Sequence, residues 1–252
     1  MTRICRVVAF WLTFQSLLYA DSINTTNAAA IAAFQAGANV NNFESIAGRT
    51  PQTITSYTPG NAVSSSAFVF NQIAGVQFSV GGMVGTNAPA LYSLSGAIAG
   101  NAQSPSTVLG PVDFDFTTKF DSGAMIEMFF PTKVSKVGFW LNPALGNVLL
   151  IAADTNFAFS GLTETTLETS NGTAGNFVGI ERPTAEIGGF KVIGLGTTGF
   201  TIDDLTVGGA TAPPPVPEPD TLALLFCGLL ALGLLVAFRA RNPADALSID
   251  RT

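Results

Sequence analysis

The chain has 252 residues, of which 47% are hydrophobic and only 11% charged; its formal net charge is −6, with two cysteines and no histidine. With no histidine, and with Cys5 and Cys227 both near the ends, His-assisted serine or cysteine chemistry is excluded from the middle of the chain, as is a bracing disulfide. Between Asp21 and Val216 thirteen acidic side chains outnumber six basic ones, which excludes nucleic acid as a partner, because its phosphates demand a basic footprint.

Residues 1–20 read as a secretory signal peptide. Arg3 and Arg6 form a basic start, Val7 to Phe14 is apolar, the run resumes at Leu17 and Leu18, and Ala20 stands before Asp21 as the small residue at the cut. The run is short and interrupted for a membrane span. An uncleaved N-terminal anchor is the alternative, and under either reading the middle of the chain is exported.

Residues 21–210 are long enough for one domain with its own core. One helix is expected first: Thr26-Asn27 offers an N-cap, Ala28 to Ala36 is alanine-rich, and Gly37 stands where a helix-ending glycine belongs. A short strand over Val40 to Ile46 is expected next. The stretch FQAGANVNNFES resembles the opening of jelly-roll ectodomains of exported proteins.

From Thr50 onward the pattern is β. Val76, Phe78 and Val80 alternate with polar residues, as do Val112, Phe114 and Phe116 with Asp113 and Asp115. Apolar runs continue at Met125 to Phe130, Val134 to Leu141, Val148 to Ala152, Phe177 to Ile180, Phe190 to Ile193 and Phe200 to Val207. Gly, Asn, Pro and Thr clusters separate them at a spacing of roughly ten residues, which predicts an all-β sandwich or barrel. Twenty phenylalanines give such sheets bulk to bury. No fixed repeat points to a solenoid.

The last of these runs holds a phase conflict. Phe200 and Ile202 share one strand face; Leu205 and Val207 share a face in the opposite phase. A period-two strand cannot bury all four on one side, so a β-bulge at Asp203-Asp204 is predicted. The jelly-roll resemblance adds an expectation here. Jelly-roll carbohydrate-binding modules often hold a structural calcium between an early acid and an acid in the last strand. By resemblance those positions are Glu44 and Asp203 or Asp204, with backbone carbonyls completing the shell. The alternative is that the two aspartates simply face solvent.

Other residues bear on chemistry. Asp113 and Asp115 are the carboxylate pair a glycosidase would need, but they read more economically as the wet face of an amphipathic strand. Glu127 sits in an apolar run, and if it points inward it requires a partner such as lysine. Trp140 is the only tryptophan outside the signal peptide. It alternates with Phe139, so one of the two can face outward as a sugar-stacking platform, unless both pack into a two-sided core. Tyr57 and Tyr92 are further candidates. The threonines at 163, 165, 166 and 169 form no regular array of the kind an ice-binding face needs.

The chain closes with a Pro-rich linker over 211–216, Pro217-Glu218-Pro219, an uncharged run over 221–238, then Arg239 and Arg241, and a tail over 242–252. Eighteen helical residues span ~27 Å, near the hydrocarbon thickness of a bilayer. The arginines hold that end in the cytoplasm. This order of parts over 217–241 resembles the PEP-CTERM sorting signal of exopolysaccharide-producing Gram-negative bacteria, a tail also labelled after the C-terminus of ice-binding proteins. The resemblance implies that Pro217, Glu218 and Pro219 are the recognition motif of an exosortase, an intramembrane cysteine protease. It also implies a transient inner-membrane anchor at 221–238 stopped by Arg239 and Arg241. The alternative is an anchor that is never cut.

The expectation is therefore an exported all-β sandwich, jelly-roll-like, with one short helix and a C-terminal transmembrane helix. It would reach the cell surface or extracellular matrix, act structurally or adhesively rather than as an enzyme, and bind exopolysaccharide weakly. A secreted polysaccharide-processing enzyme is the alternative.

Overall fold

Alternating apolar residues and closely spaced turns produce two β-sheets in the computed structural model, which describes residues 21–79, 88–154 and 165–209. The expected signal peptide, linker, sorting motif (Pro217, Glu218, Pro219), span at 221–238, Arg239, Arg241 and tail lie outside the described residues. Among the described residues no helix is long and apolar enough to cross a membrane.

The strands are β1 (Asp21–Thr25), β2 (Asn39–Asn41), β3 (Gln52–Ile54), β4 (Gln77–Ser79), β5 (Ala90–Leu94), β6 (Thr107–Gly110), β7 (Met125–Val134), β8 (Lys136–Leu141), β9 (Val148–Ala153), β10 (Thr166–Gly172), β11 (Phe177–Glu181), β12 (Ile187–Gly194) and β13 (Ile202–Gly208). One sheet runs β1-β11-β8-β13-β6-β5-β3 with β2 also paired to β13; the other runs β10-β9-β12-β7-β4. All described pairings are antiparallel except β3 with β5.

The inner faces meet in one apolar core. Val137, Phe139 and Leu141 of β8 come from the larger sheet, and Ile126, Met128, Leu150, Phe190 and Val192 come from the smaller one. The Phe139 and Phe190 rings stand edge to face, 6.3 Å apart, across the sandwich. The expected all-β, two-sheet class is what forms.

The helix α1 (Ala28–Gln35) is capped as its sequence predicts. Asn27 Oδ1 accepts from the N–H groups of Ala29 and Ala30, and Gly37 takes a left-handed φ of 70° past the last turn. It lies on the outer face of the larger sheet. Gly138 and Gly179, with no side chains, leave the hollow that Phe34 fills. The buried Lys136 ammonium closes the far end, donating to the carbonyls of Phe34 (2.9 Å) and Ala36 (3.3 Å) and pairing with Glu181 at 3.1 Å.

Three expectations are corrected. The strand over Val40 to Ile46 stops at Asn41, because Asn41 Oδ1 accepts from the Phe43 N–H and turns the chain; Phe43 sits at φ 60° with its ring fully buried. Val112 to Phe116 is no strand. The Asp113 carbonyl accepts the Phe116 N–H in a tight turn that leaves Phe114 and Phe116 exposed, and the Asp113 carboxylate pairs with Lys119 at 3.4 Å. Tyr92 is fully buried in a second apolar cluster, so it offers no exposed platform.

Candidate functional site

The phase conflict in the last strand is resolved by the predicted bulge. Against β8, Asp203 pairs with Trp140 and Thr206 with Gly138, so β13 spends one extra residue there. Asp204 absorbs it in the left-handed region at φ 49°, a conformation Asp tolerates better than most residues. Ile202 and Leu205 consequently both reach the core, with Phe200 beside them.

The same bulge draws Asp203 and Asp204 toward Glu44, the early acid expected from the sequence. Asp203 is 3% exposed. Its Oδ2 accepts from the N–H groups of Gln103 and Ser104, both at 2.8 Å; its Oδ1 accepts from Ser104 Oγ at 2.7 Å and the Asp204 N–H at 2.8 Å. Glu44 Oε1 accepts from the N–H groups of Ser106 (2.9 Å) and Thr107 (2.8 Å), while Oε2 accepts from Thr107 Oγ1. Together the two carboxylates clasp the segment 103–107 that leads into β6. Burial pushes the Glu44 carboxyl upward, yet its backbone and hydroxyl donors win and hold it below the usual carboxylate range. For Asp203 burial wins over the same kind of donors and raises it.

Asp204 has no such relief. Among the described residues no hydrogen bond reaches its carboxylate. Burial first, and then the charges of Asp203 and Glu44, push it up to about 6. The fit to calcium is limited by this arrangement. A carboxylate offers about four lone-pair positions, and Asp203 has filled all of its own with N–H and O–H donors. Asp204 and one side of Glu44 Oε2 remain, fewer than the several oxygens calcium takes. Among the described residues no group of three or more His, Cys, Asp or Glu side chains is placed to hold a metal ion.

Beside the clasp lies a recess on the larger sheet. Its volume is about 80 Å³, and its walls include Asn101, Gln103, Trp140, Asn142, Thr201 and Asp203. Trp140 is half-buried on the outer face, its ring edge-to-face with Phe177 at 5.9 Å, whereas Phe139 is wholly in the core. The alternation puts Phe139 in the sandwich core and Trp140 on the opposite face, where it packs against the cluster of Ile31, Phe34 and Phe177 beneath α1. Asn142 Nδ2 donates to the Tyr57 hydroxyl at 2.5 Å and to Thr201 Oγ1 at 3.0 Å, and Asn101 Nδ2 donates to the same Tyr57 hydroxyl at 3.3 Å. Burial raises the Tyr57 phenol, so it stays protonated. This amide–phenol network holds the polar side of the recess rigid.

Sequence reasoning does not find Asn101, Gln103 and Asn142. Isolated amides in loops give no local signal, and only the fold brings 101–103 against 140–143. Glu127, by contrast, behaves as its burial requires: it is 2% exposed and pairs across the strands with Lys191 at 3.1 Å.

No family model and no curated protein matches the chain. Among solved structures it is similar to TmCBM61 in complex with β-1,4-galactotriose, at 17% identity over 53% of this chain and 88% of that one, TM-score 0.30. It is also similar to the enzymatically active domain of bacteriophage CBA120 tailspike protein 4, at 15% identity over 59% of this chain and 21% of that one, TM-score 0.30. A third is the family 11 carbohydrate-binding module from Clostridium thermocellum in complex with a β-1,3-1,4-mixed-linked tetrasaccharide, at 10% identity over 57% of this chain and 95% of that one, TM-score 0.26. Likenesses this weak assign neither a fold family nor a ligand.

Proposed function

We propose that this is an exported surface or extracellular-matrix protein whose β-sandwich is structural or adhesive and holds polysaccharide weakly at the recess beside Trp140. The observation that carries the binding part is the pairing of one outward, half-buried tryptophan with a rigid set of amides in the same recess. An aromatic face stacks on the apolar face of a sugar ring, and the side-chain amides of Asn101 and Gln103 are the groups left to meet its hydroxyls, since both N–H groups of Asn142 are donated to Tyr57 and Thr201. The jelly-roll topology belongs to the same reading.

Export and sorting rest on the sequence. The signal-like segment 1–20 sends the domain across the inner membrane. The span at 221–238, stopped by Arg239 and Arg241, holds it there until an exosortase acts near Pro217, Glu218 and Pro219. Catalysis by the domain itself finds no support in the turn that holds Asp113, since its carboxylate is tied to Lys119.

Affinity electrophoresis through gels containing matrix polysaccharide tests the binding part. The folded domain is expected to be retarded and Trp140→Ala to run as in a blank gel while keeping its circular dichroism. Equal mobility of both in every gel would rule the recess out as a sugar site. Mass spectrometry of surface-released protein tests sorting: a C-terminus near Pro217 supports it, whereas an intact Thr252 makes the tail a permanent anchor.

A further inference from the structure

The recess is charged on one side only. Among the described residues that line it, Asp203 is the sole ionisable side chain, and it is 3% exposed. Its nearest charged neighbours, Asp204 and Glu44, are acids as well. The cations lie elsewhere: Lys119 pairs with Asp113 and Asp121, Lys136 with Glu181, Arg182 with Glu168 and Glu186, and Lys191 with Glu127, Arg49 sits over the Phe70 ring, and Lys133 is exposed on β7 of the other sheet. A uronate or sulfate group entering beside Trp140 therefore meets negative charge that no lining cation offsets.

From this we infer that the recess selects its polysaccharide by charge, taking glycans with free amino groups in preference to neutral ones and rejecting uronic-acid or sulfated ones. The inference rests on the reading of the recess as a sugar site. The amino-sugar ammonium need not touch a carboxylate. Both oxygens of Asp203 are already occupied by chain donors, so the preference acts through the field across the recess and not through a new direct hydrogen bond. A field effect of this kind is modest and is screened once the Debye length shrinks toward contact distance. The expected preference is about three- to tenfold at low salt, falling toward parity at high salt. A preference built on direct contact would survive salt better.

The test is calorimetric titration of the folded domain with three probes of matched length: β-1,4-linked glucosamine oligomers, their N-acetylated counterparts, and oligogalacturonate. The expected order is amino form tightest, acetylated form weaker, and galacturonate weakest, with the gap between the first two closing as salt is added. Asp204→Asn leaves the recess wall and the clasp donors in place, and it is expected to narrow that gap without moving the affinity of the acetylated probe. Trp140→Ala is expected to weaken all three. If the acetylated probe binds and the amino form binds no tighter, charge selection is overturned while the sugar site stands. Galacturonate binding as tightly as the acetylated probe overturns it as well. Amino-form binding that persists unchanged in Trp140→Ala reports general attraction to an acidic surface and overturns it too. If none of the probes binds, the sugar site itself falls with the inference.

Discussion

Replacing Asp204 by asparagine should stabilise the protein. The carboxylate is held partly buried at the β-bulge beside Asp203 and Glu44, and its pKa rises from 3.8 to about 6. At about 1.4 kcal/mol per pH unit that rise corresponds to roughly 3 kcal/mol; solvent screening at a partly exposed side chain reduces it to about 1–2 kcal/mol. The folded chain binds the Asp204 proton more tightly than the unfolded chain, so ionisation costs stability. The cost is fully present above the folded pKa near 6 and disappears as pH falls below 3.8. Asparagine removes the charge, keeps the shape and tolerates the left-handed φ of 49°. In a chain of this size the gain corresponds to about 2–8 °C in melting temperature.

The assay is thermal melting of wild type and Asp204→Asn from neutral pH down to about pH 4, in chelator. The two curves should stand apart at neutral pH and converge at the acid end. The lowered Glu44 carboxyl acts in the opposite sense, stabilising above its usual range and less as pH falls; its own donors are the same in both proteins, so the difference between the curves reports Asp204 together with its coupling to Glu44 and Asp203. A variant no more stable at neutral pH, or equally favoured at both ends, would refute the claim that Asp204 sits among uncompensated charge. Excess calcium supplies a second arm. If the ion is recruited, wild type should gain stability and the variant should not.

Three further outcomes rest on packing. Gly179→Ala would place a Cβ 2.6 Å from the Val137 carbonyl oxygen and 2.9 Å from the Phe34 ring. It should destabilise by about 1–3 kcal/mol and loosen α1, read by denaturant melting and by amide exchange over 28–35. Lys136→Met keeps the length of the stem but removes the donors to Phe34 and Ala36 and the pair with Glu181. A loss of about 1–3 kcal/mol, with exchange rising at the C-terminal turn of α1, is expected. Glu44→Gln should free the N–H groups of Ser106 and Thr107 in part, costing about 1–2 kcal/mol and raising exchange at 103–107 ahead of any change in the core.

Period-two alternation and turn clusters made the two-sheet class readable, because burial on one face of a strand leaves a local record. The bulge was readable for the same reason: Phe200, Ile202, Leu205 and Val207 cannot share a face without it. The meeting of Glu44 with Asp203 and Asp204 came from resemblance to jelly-roll modules. The role of those carboxylates was hidden, since their partners are backbone N–H groups of 103–107, which carry no residue signature. Asp113 to Phe116 misled because a tight turn and a short amphipathic strand share the same alternation over so few residues. β10 escaped notice because its threonines, serine and asparagine lack an apolar face, and it forms by pairing with the apolar β9. The recess amides were invisible for the reason that distant loops assemble them.

Trp140 is the single tryptophan between Asp21 and Thr252, so its emission reports the proposed site without labelling. Titrating the processed domain with neutral and amino-bearing matrix oligosaccharides while recording that emission is the most direct measurement. A saturable shift or quench, shared by no uronic-acid oligomer, is the predicted result. Emission that stays flat to saturating sugar, with the domain folded, would contradict the proposed site.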